Sequence, residues 1–293
     1  MNSETSPEMA SEEIEIVPID GPVGAEIKGV SLASVDDAHY QRIRQALVEN
    51  LVLLFRGQNI SDAELVAFSR LFGELDMAPP QENGQQAVNG LPEIMVISNV
   101  KENGVPIGSL GDGEAIWHTD MNYQENPPLG SALYAREVPP VGGDTGFCNM
   151  YMALEALPAR LRERIDGLSI KHDASKTSGG YLRKGFEEVR DVSQTIGAVH
   201  PIVRKHPESH REVLYLGRRL NAYVMGLPVE ASEALLDEIW SYATRKEHTW
   251  HHQWRVGDVV FWDNRAVMHR RDAFDAGERR VMHRTQIGDH LPA

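Results

Sequence analysis

The chain is short of three things. It has a single cysteine, Cys148, in 293 residues, which leaves no intramolecular disulfide and no multi-cysteine zinc or iron–sulfur site. A reducing, cytoplasmic setting is the expectation. It has no apolar run near the roughly 18 residues that a membrane span needs. Its opening, MNSETSPEMASEE, is polar and acidic, with neither the basic nor the apolar part of a targeting signal, and reads as a disordered tail over residues 1–13. Positive charge is also scarce: 29 Lys and Arg stand against 43 Asp and Glu, a net charge of −14. That balance argues against a nucleic-acid binder, because phosphates need a basic face, and it disfavours anionic membrane surfaces. It leaves room for a small anionic ligand, since a few arginines inside a pocket can dominate the local field.

What is present is an ordinary globular composition, 41% hydrophobic and 25% charged. No linker or repeat divides the chain, so residues 14–293 read as one domain. The segments IEIVPIDGPVGAEIKGVSL, LVLLF, EIMVISNV, SALYAREV and VMHRTQIGD have strand character. HTWHHQWRVGDVVFWDN reads as two strands around a Val256-Gly257-Asp258 turn. DDAHYQRIRQALVEN, ELVAFSRLFG behind a Ser61–Glu64 capping box, NMYMALEALPARLRERIDG and EASEALLDEIWSYATR read as helices. Residues 173–198 are irregular and polar, long for a structureless insert, which marks an active-site loop or lid. Many short strands with a few outer helices predict a mainly β fold, a jelly-roll barrel of the double-stranded β-helix type with flanking helices.

The stretch GDGEAIWHTDMNY places His118 two residues before Asp120. On extended chain, positions i and i+2 point the same way, so both can face one metal. Two imidazoles and one carboxylate on one face, with the other face open, suit non-haem ferrous iron. The second histidine has to come from a distant strand, and His269, in VVFWDNRAVMH, is the best candidate. On the returning strand, Arg280, Met282 and Arg284 fall at period two and share a face. Arginines turned into a barrel are costly unless they meet anions, and a dicarboxylate fits a guanidinium. Glu114 stands at the expected mouth of the site, where it can receive an amine on a substrate. His206-Pro-Glu208 and His210-Arg-Glu212 have a similar form but lie in a polar, turn-rich stretch and read as surface. His248, His251 and His252 read as structural. Arg270 and Arg271 add positive charge after His269, with at least one turned outward.

Together these pieces resemble the iron(II)- and 2-oxoglutarate-dependent dioxygenases of the taurine dioxygenase and 2,4-dichlorophenoxyacetate dioxygenase family. The resemblance is carried by WHTD at 117–120, GGDTGF at 142–147, WDNR at 262–265, His269, Arg280 and Arg284, with LVLLFRGQ and AFSRLFGEL beside them. It implies that His118, Asp120 and His269 bind Fe(II), and that Arg280 and Thr145 hold the distal carboxylate of 2-oxoglutarate. It places Arg284 near the substrate's acidic group or the cosubstrate's near carboxylate, and Trp262 on the pocket wall. The implied chemistry uses O2 and converts 2-oxoglutarate to succinate and carbon dioxide while hydroxylating a substrate carbon. A carbon bearing a heteroatom then fragments. The implied substrate is a small organic acid: a sulfonate, carboxylate, aryloxyalkanoate or phosphonate. Family members form dimers or tetramers, which makes a homo-oligomer the expectation. In taurine dioxygenases histidines follow the FGEL-like stretch, whereas here Asp76-Met77-Ala78-Pro79-Pro80 follows it, which points away from taurine. Two other classes compete: an oxygen-independent metal hydrolase or isomerase, and a non-catalytic binding barrel. Arg280 with Thr145 speaks against the first and an intact triad against the second.

Overall fold

A computed structural model describes residues 13–80, 86–111 and 115–288; most of the N-terminal tail lies outside them. The architecture is mainly β. An eight-stranded sheet faces a four-stranded sheet formed by Thr249–His252, Thr145–Asn149, Val267–Arg271 and Ala115–His118, in that order. At the centre of the larger sheet, Val52–Phe55, Val259–Asp263, Gly130–Glu137 and Val281–Ile287 are neighbours, all antiparallel.

Side-chain alternation along these central strands builds two cores. Leu53, Phe55, Ala132, Tyr134, Val259 and Phe261 point outward into a cluster with Ile43 and Leu47 of helix Asp37–Asn50 and Leu65 and Phe68 of helix Asp62–Arg70. Leu54, Leu133, Val260, Trp262 and Met282 point inward, against Phe147, Cys148 and Met268 of the smaller sheet. Burial on both faces explains why VLLF and VVFW are unbroken apolar runs rather than alternating ones. Phe68 and Phe261 meet edge to face at 6.0 Å, each contributing about 2–3 kcal/mol through burial.

The capping box forms as expected: Ser61 and Glu64 satisfy one another's backbone N–H at the start of Asp62–Arg70. The segment read as one helix after Asn149 is two, Met150–Glu155 and Ala159–Ile165, because Pro158 disfavours helical backbone at Leu157. The Val256-Gly257-Asp258 turn joins strands of different sheets rather than a hairpin. Gly257 adopts φ 88° there, and Asp258 fixes the crossing by accepting from Arg255 N (2.9 Å), His252 Nε2 (3.2 Å) and Arg56 Nη1 (2.6 Å). The chain returns to the smaller sheet through Asn264–Ala266, and both crossings frame the ends of the space between the sheets. Among the described residues no helix is long and apolar enough to cross a membrane.

Candidate active site

Strand pairing brings His118 and His269 together, because Ala115–His118 runs antiparallel to Val267–Arg271 with these two residues opposite one another. Their ring centroids are 4.1 Å apart. Asp120, in the turn two residues on, lies 3.6 Å from His118 Nε2 and 3.9 Å from His269 Nε2 through its two oxygens. One ligand atom from each of the three falls within 4.8 Å of the others, and all three side chains are buried. His118 Nδ1 lies 2.7 Å from the Ile116 carbonyl; a carbonyl only accepts, so Nδ1 carries N–H and Nε2 is the nitrogen turned toward Asp120, the way a metal-binding histidine is commonly held. Burial and the neighbouring His118 push His269 down to about 3, so it is a neutral donor. Burial alone would raise Asp120, but the charge of Arg284, the largest opposing effect, helps hold it well below the usual carboxylate range. Two imidazoles and one carboxylate are the donor set of an open mononuclear iron site, so these residues fit the metal.

Asp120 is positioned by a residue the sequence reading passed over. Asp120 N donates to Asn264 Oδ1 at 2.8 Å, and Asn264 Nδ2 donates to the carbonyls of Asp120 (3.0 Å) and Pro128 (3.1 Å). Its place inside WDNR was the available signal. Arg284 Nη1 reaches both Asp120 oxygens, at 3.2 and 3.3 Å.

The triad opens onto a cavity of about 490 Å³ that Thr145, Trp262, Arg280 and Arg284 also line. Trp262 forms a wall, its ring 4.8 Å from that of His269. Arg280 is 2% exposed; its Nε has no hydrogen-bond partner, and among the described residues no carboxylate pairs with its guanidinium. Burial and the charge of Arg271 push its pKa down to about 9. Gly143 makes room for it: a Cβ there would sit 3.1 Å from Arg280 Cδ and Nε. Thr145 Oγ1 accepts from Trp254 Nε1 at 3.0 Å. An indole N–H is only a donor, so the threonine proton remains available to the cavity. Arg279 faces the other way, onto Glu137, as the alternation with Arg280 requires.

The 173–198 segment belongs to the site, contributing Thr177, Ser178, Gly179, Tyr181 and Arg183 to the cavity lining. Asp76, Met77, Ala78 and Pro79 line it where taurine dioxygenases would carry histidine. Glu114, expected at the substrate mouth, lies outside the described residues. Arg270 binds Asp272 at 2.6 Å, which neutralises its charge. His206 is a correction: it is buried rather than at the surface, with Nε2 2.9 Å from Asp263 Oδ2. His251 and His252 are structural, bound to Asp272 and Asp258.

A family profile described as "Taurine catabolism dioxygenase TauD, TfdA family" matches residues 15–286. The chain belongs to the TauD/TfdA family. It is 32% identical over 286 residues to a (S)-phenoxypropionate/alpha-ketoglutarate-dioxygenase of Sphingobium herbicidovorans, covering 93% of this chain and 94% of that one. It is 34% identical over 258 residues to an alpha-ketoglutarate-dependent 2,4-dichlorophenoxyacetate dioxygenase of Cupriavidus pinatubonensis, covering 85% and 88%. The crystal structure of AAD-2 in complex with Mn(II) and N-oxalylglycine superimposes with a TM-score of 0.79 at 27% identity, covering 96% of this chain and 98% of that one. Membership of the TauD/TfdA family makes this chain a 2-oxoglutarate-dependent dioxygenase, an oxidoreductase.

Proposed function

We propose that the protein hydroxylates a small organic acid at a single ferrous iron, with release of succinate and carbon dioxide, on one jelly-roll domain beginning at residue 14. His118, Asp120 and His269 hold the iron. Bound there, iron supplies the activation of O2 that no side chain can provide. The remaining work belongs to the protein. Asn264 and Arg284 fix and charge-balance Asp120, and the Ile116 carbonyl sets the His118 tautomer. Arg280 receives the distal carboxylate of 2-oxoglutarate, Thr145 donates its hydroxyl proton to that carboxylate, and Arg284 is the cation beside the near one. Trp262 and Phe147 keep water from the His269 side.

The observation that supports this reading most is Arg280. A buried guanidinium with no carboxylate at ion-pair distance among the described residues is too costly to be idle. A dicarboxylate cosubstrate whose other end chelates the metal removes that cost. The substrate class is supported by the aryloxyalkanoate acids named for the two relatives and by the mainly apolar cavity.

The test is anaerobic visible absorption on adding Fe(II) and then 2-oxoglutarate. A weak charge-transfer band from chelation of iron by the keto acid is expected in the wild type and absent in His269→Ala. Iron binding without the band would remove Arg280 and Thr145 from the cosubstrate role.

A further inference from the structure

The cavity holds a second cationic centre that the cosubstrate does not use. Arg218 follows strand Glu212–Leu214 and lines the same cavity as the triad. It is 3% exposed. Its Nη1 donates to the Lys176 carbonyl at 2.6 Å, its Nε has no partner, and among the described residues no carboxylate lies at ion-pair distance from it. Arg183, from the 173–198 segment, also lines the cavity. Its guanidinium stacks over the Tyr123 ring at 4.3 Å from the centroid and donates to the Tyr123 hydroxyl; among the described residues it too has no carboxylate at ion-pair distance. The two cations are close enough that Arg183 depresses the pKa of Arg218, after the larger effect of burial, while Asp120 opposes the shift. The second centre therefore lies within electrostatic reach of the metal ligands.

Two like charges in a largely buried pocket, with no carboxylate at ion-pair distance among the described residues, repeat the unfavourable situation of Arg280. One 2-oxoglutarate cannot relieve both, because its carboxylates are committed to Arg280 and to the metal. Arg284 is already engaged, by Asp120 through Nη1 and by Met95 and Gln286 through Nη2. A second anion is needed, and the primary substrate is the only other occupant the reaction supplies. Met77, Met121 and Tyr181 line the same cavity and offer apolar surface for an organic body. We infer that Arg218 and Arg183 form the anion subsite for the primary substrate, an acid with one anionic group on an apolar body, which they hold facing the metal ligands. This assignment rests on the dioxygenase reading above. The sequence expectation placed Arg284 near the substrate's acidic group or the cosubstrate's near carboxylate, and this assignment leaves Arg284 to the second.

The experiment measures dissociation constants from the shift each ligand makes in the Fe(II)–2-oxoglutarate band under anaerobic conditions. The probes are phenoxyacetate, hexyl sulfate and the neutral phenoxyethanol, tested on the wild type, Arg218→Gln, Arg218→Lys and Arg183→Gln. The wild type is expected to bind at least one of the acids at least 30-fold tighter than phenoxyethanol. Arg218→Gln is expected to weaken that acid by about 30-fold or more, with phenoxyethanol and 2-oxoglutarate unchanged within about threefold. Arg218→Lys should recover part of the loss, and Arg183→Gln should show a smaller one. Unchanged acid binding in Arg218→Gln overturns the subsite. So does an equal loss for acid and alcohol, or a matching loss of 2-oxoglutarate affinity. Should neither acid bind the wild type, the apolar monoanion is the wrong occupant. Absence of the band in the wild type is a different failure, that of the dioxygenase reading itself.

Discussion

Asn264 and Asp120 grip one another through reciprocal hydrogen bonds of 2.8 and 3.0 Å, across 144 residues of sequence. The contact uses only the backbone of Asp120, so the carboxylate stays free for the metal while its Cα is held. Asn264 sits where the chain crosses back from the larger to the smaller sheet, which ties the metal ligand to the frame of the fold. Asn264→Ala leaves the Asp120 N–H unmet and the turn loose. Losing a group that orients a metal ligand costs about 10–100-fold in metal affinity. Fe(II) affinity is expected to fall by that much while the unfolding midpoint moves by no more than a few degrees. Calorimetric titration with Mn(II) beside a thermal melt checks it; unchanged affinity would reduce Asn264 to a turn former.

How much of this was legible in the sequence follows from the range over which each feature is determined. His118 and Asp120 share a local spacing, and Arg280 and Arg284 share a strand period, so both pairs could be read directly. The central strands were legible because burial on both faces leaves continuous apolar runs. His206 was misread because the segment around it is polar, while its partner Asp263 is 57 residues away. Arg218 carried no signal: a guanidinium in LGRRLN looks like any surface arginine until the fold closes over it. The break at Pro158 was visible, and helical spacing on either side concealed it.

Asp263 belongs to the same motif but supports the fold. It is fully buried, with Arg265 Nη2 at 2.6 Å and His206 Nε2 at 2.9 Å. Burial would raise its pKa; the charge and hydrogen bond of Arg265, then His206, bring it below the ordinary carboxylate value. A folded-state pKa below the unfolded one stabilises at pH above the unfolded value and loses that contribution as pH falls. Asp263→Asn leaves Arg265 under-compensated and should cost about 3–5 kcal/mol at neutral pH. The gap from the wild type should narrow below about pH 4. Urea denaturation at pH 7 and at pH 3.5 measures both; a gap that does not change with pH would mean that Asp263 does not act through its charge.

Thr145 offers a conservative test of the cosubstrate end. Thr145→Val keeps the shape and deletes the hydroxyl, stranding the Trp254 indole N–H and removing the proton offered to the carboxylate. A neutral-to-charged hydrogen bond is worth about 1.5–3 kcal/mol, so the 2-oxoglutarate dissociation constant should rise roughly 10–100-fold. Thr145→Ser should remain near the wild type. Band titration with 2-oxoglutarate reads the effect, and equal affinity in the valine variant would show that the hydroxyl serves Trp254 alone.

Arg280 makes cosubstrate binding weaken at alkaline pH. In the free protein its cation is destabilised, first by burial and then by Arg271, which puts its pKa at about 9. A bound carboxylate favours the cation and raises that value. Binding therefore takes up a proton wherever the free side chain has lost one, and affinity is full below about pH 9 and falls as pH rises through it. The expected dissociation constant of 2-oxoglutarate on metal-free protein is flat from pH 7 to 8.5 and weakens toward tenfold per pH unit above 9. Quenching of tryptophan fluorescence follows it without iron, whose hydroxides form in that range. Arg280→Gln should bind about 100-fold more weakly at pH 7 and show no such slope. A slope that survives in the glutamine variant would assign the titration to another group and leave the charge of Arg280 constant.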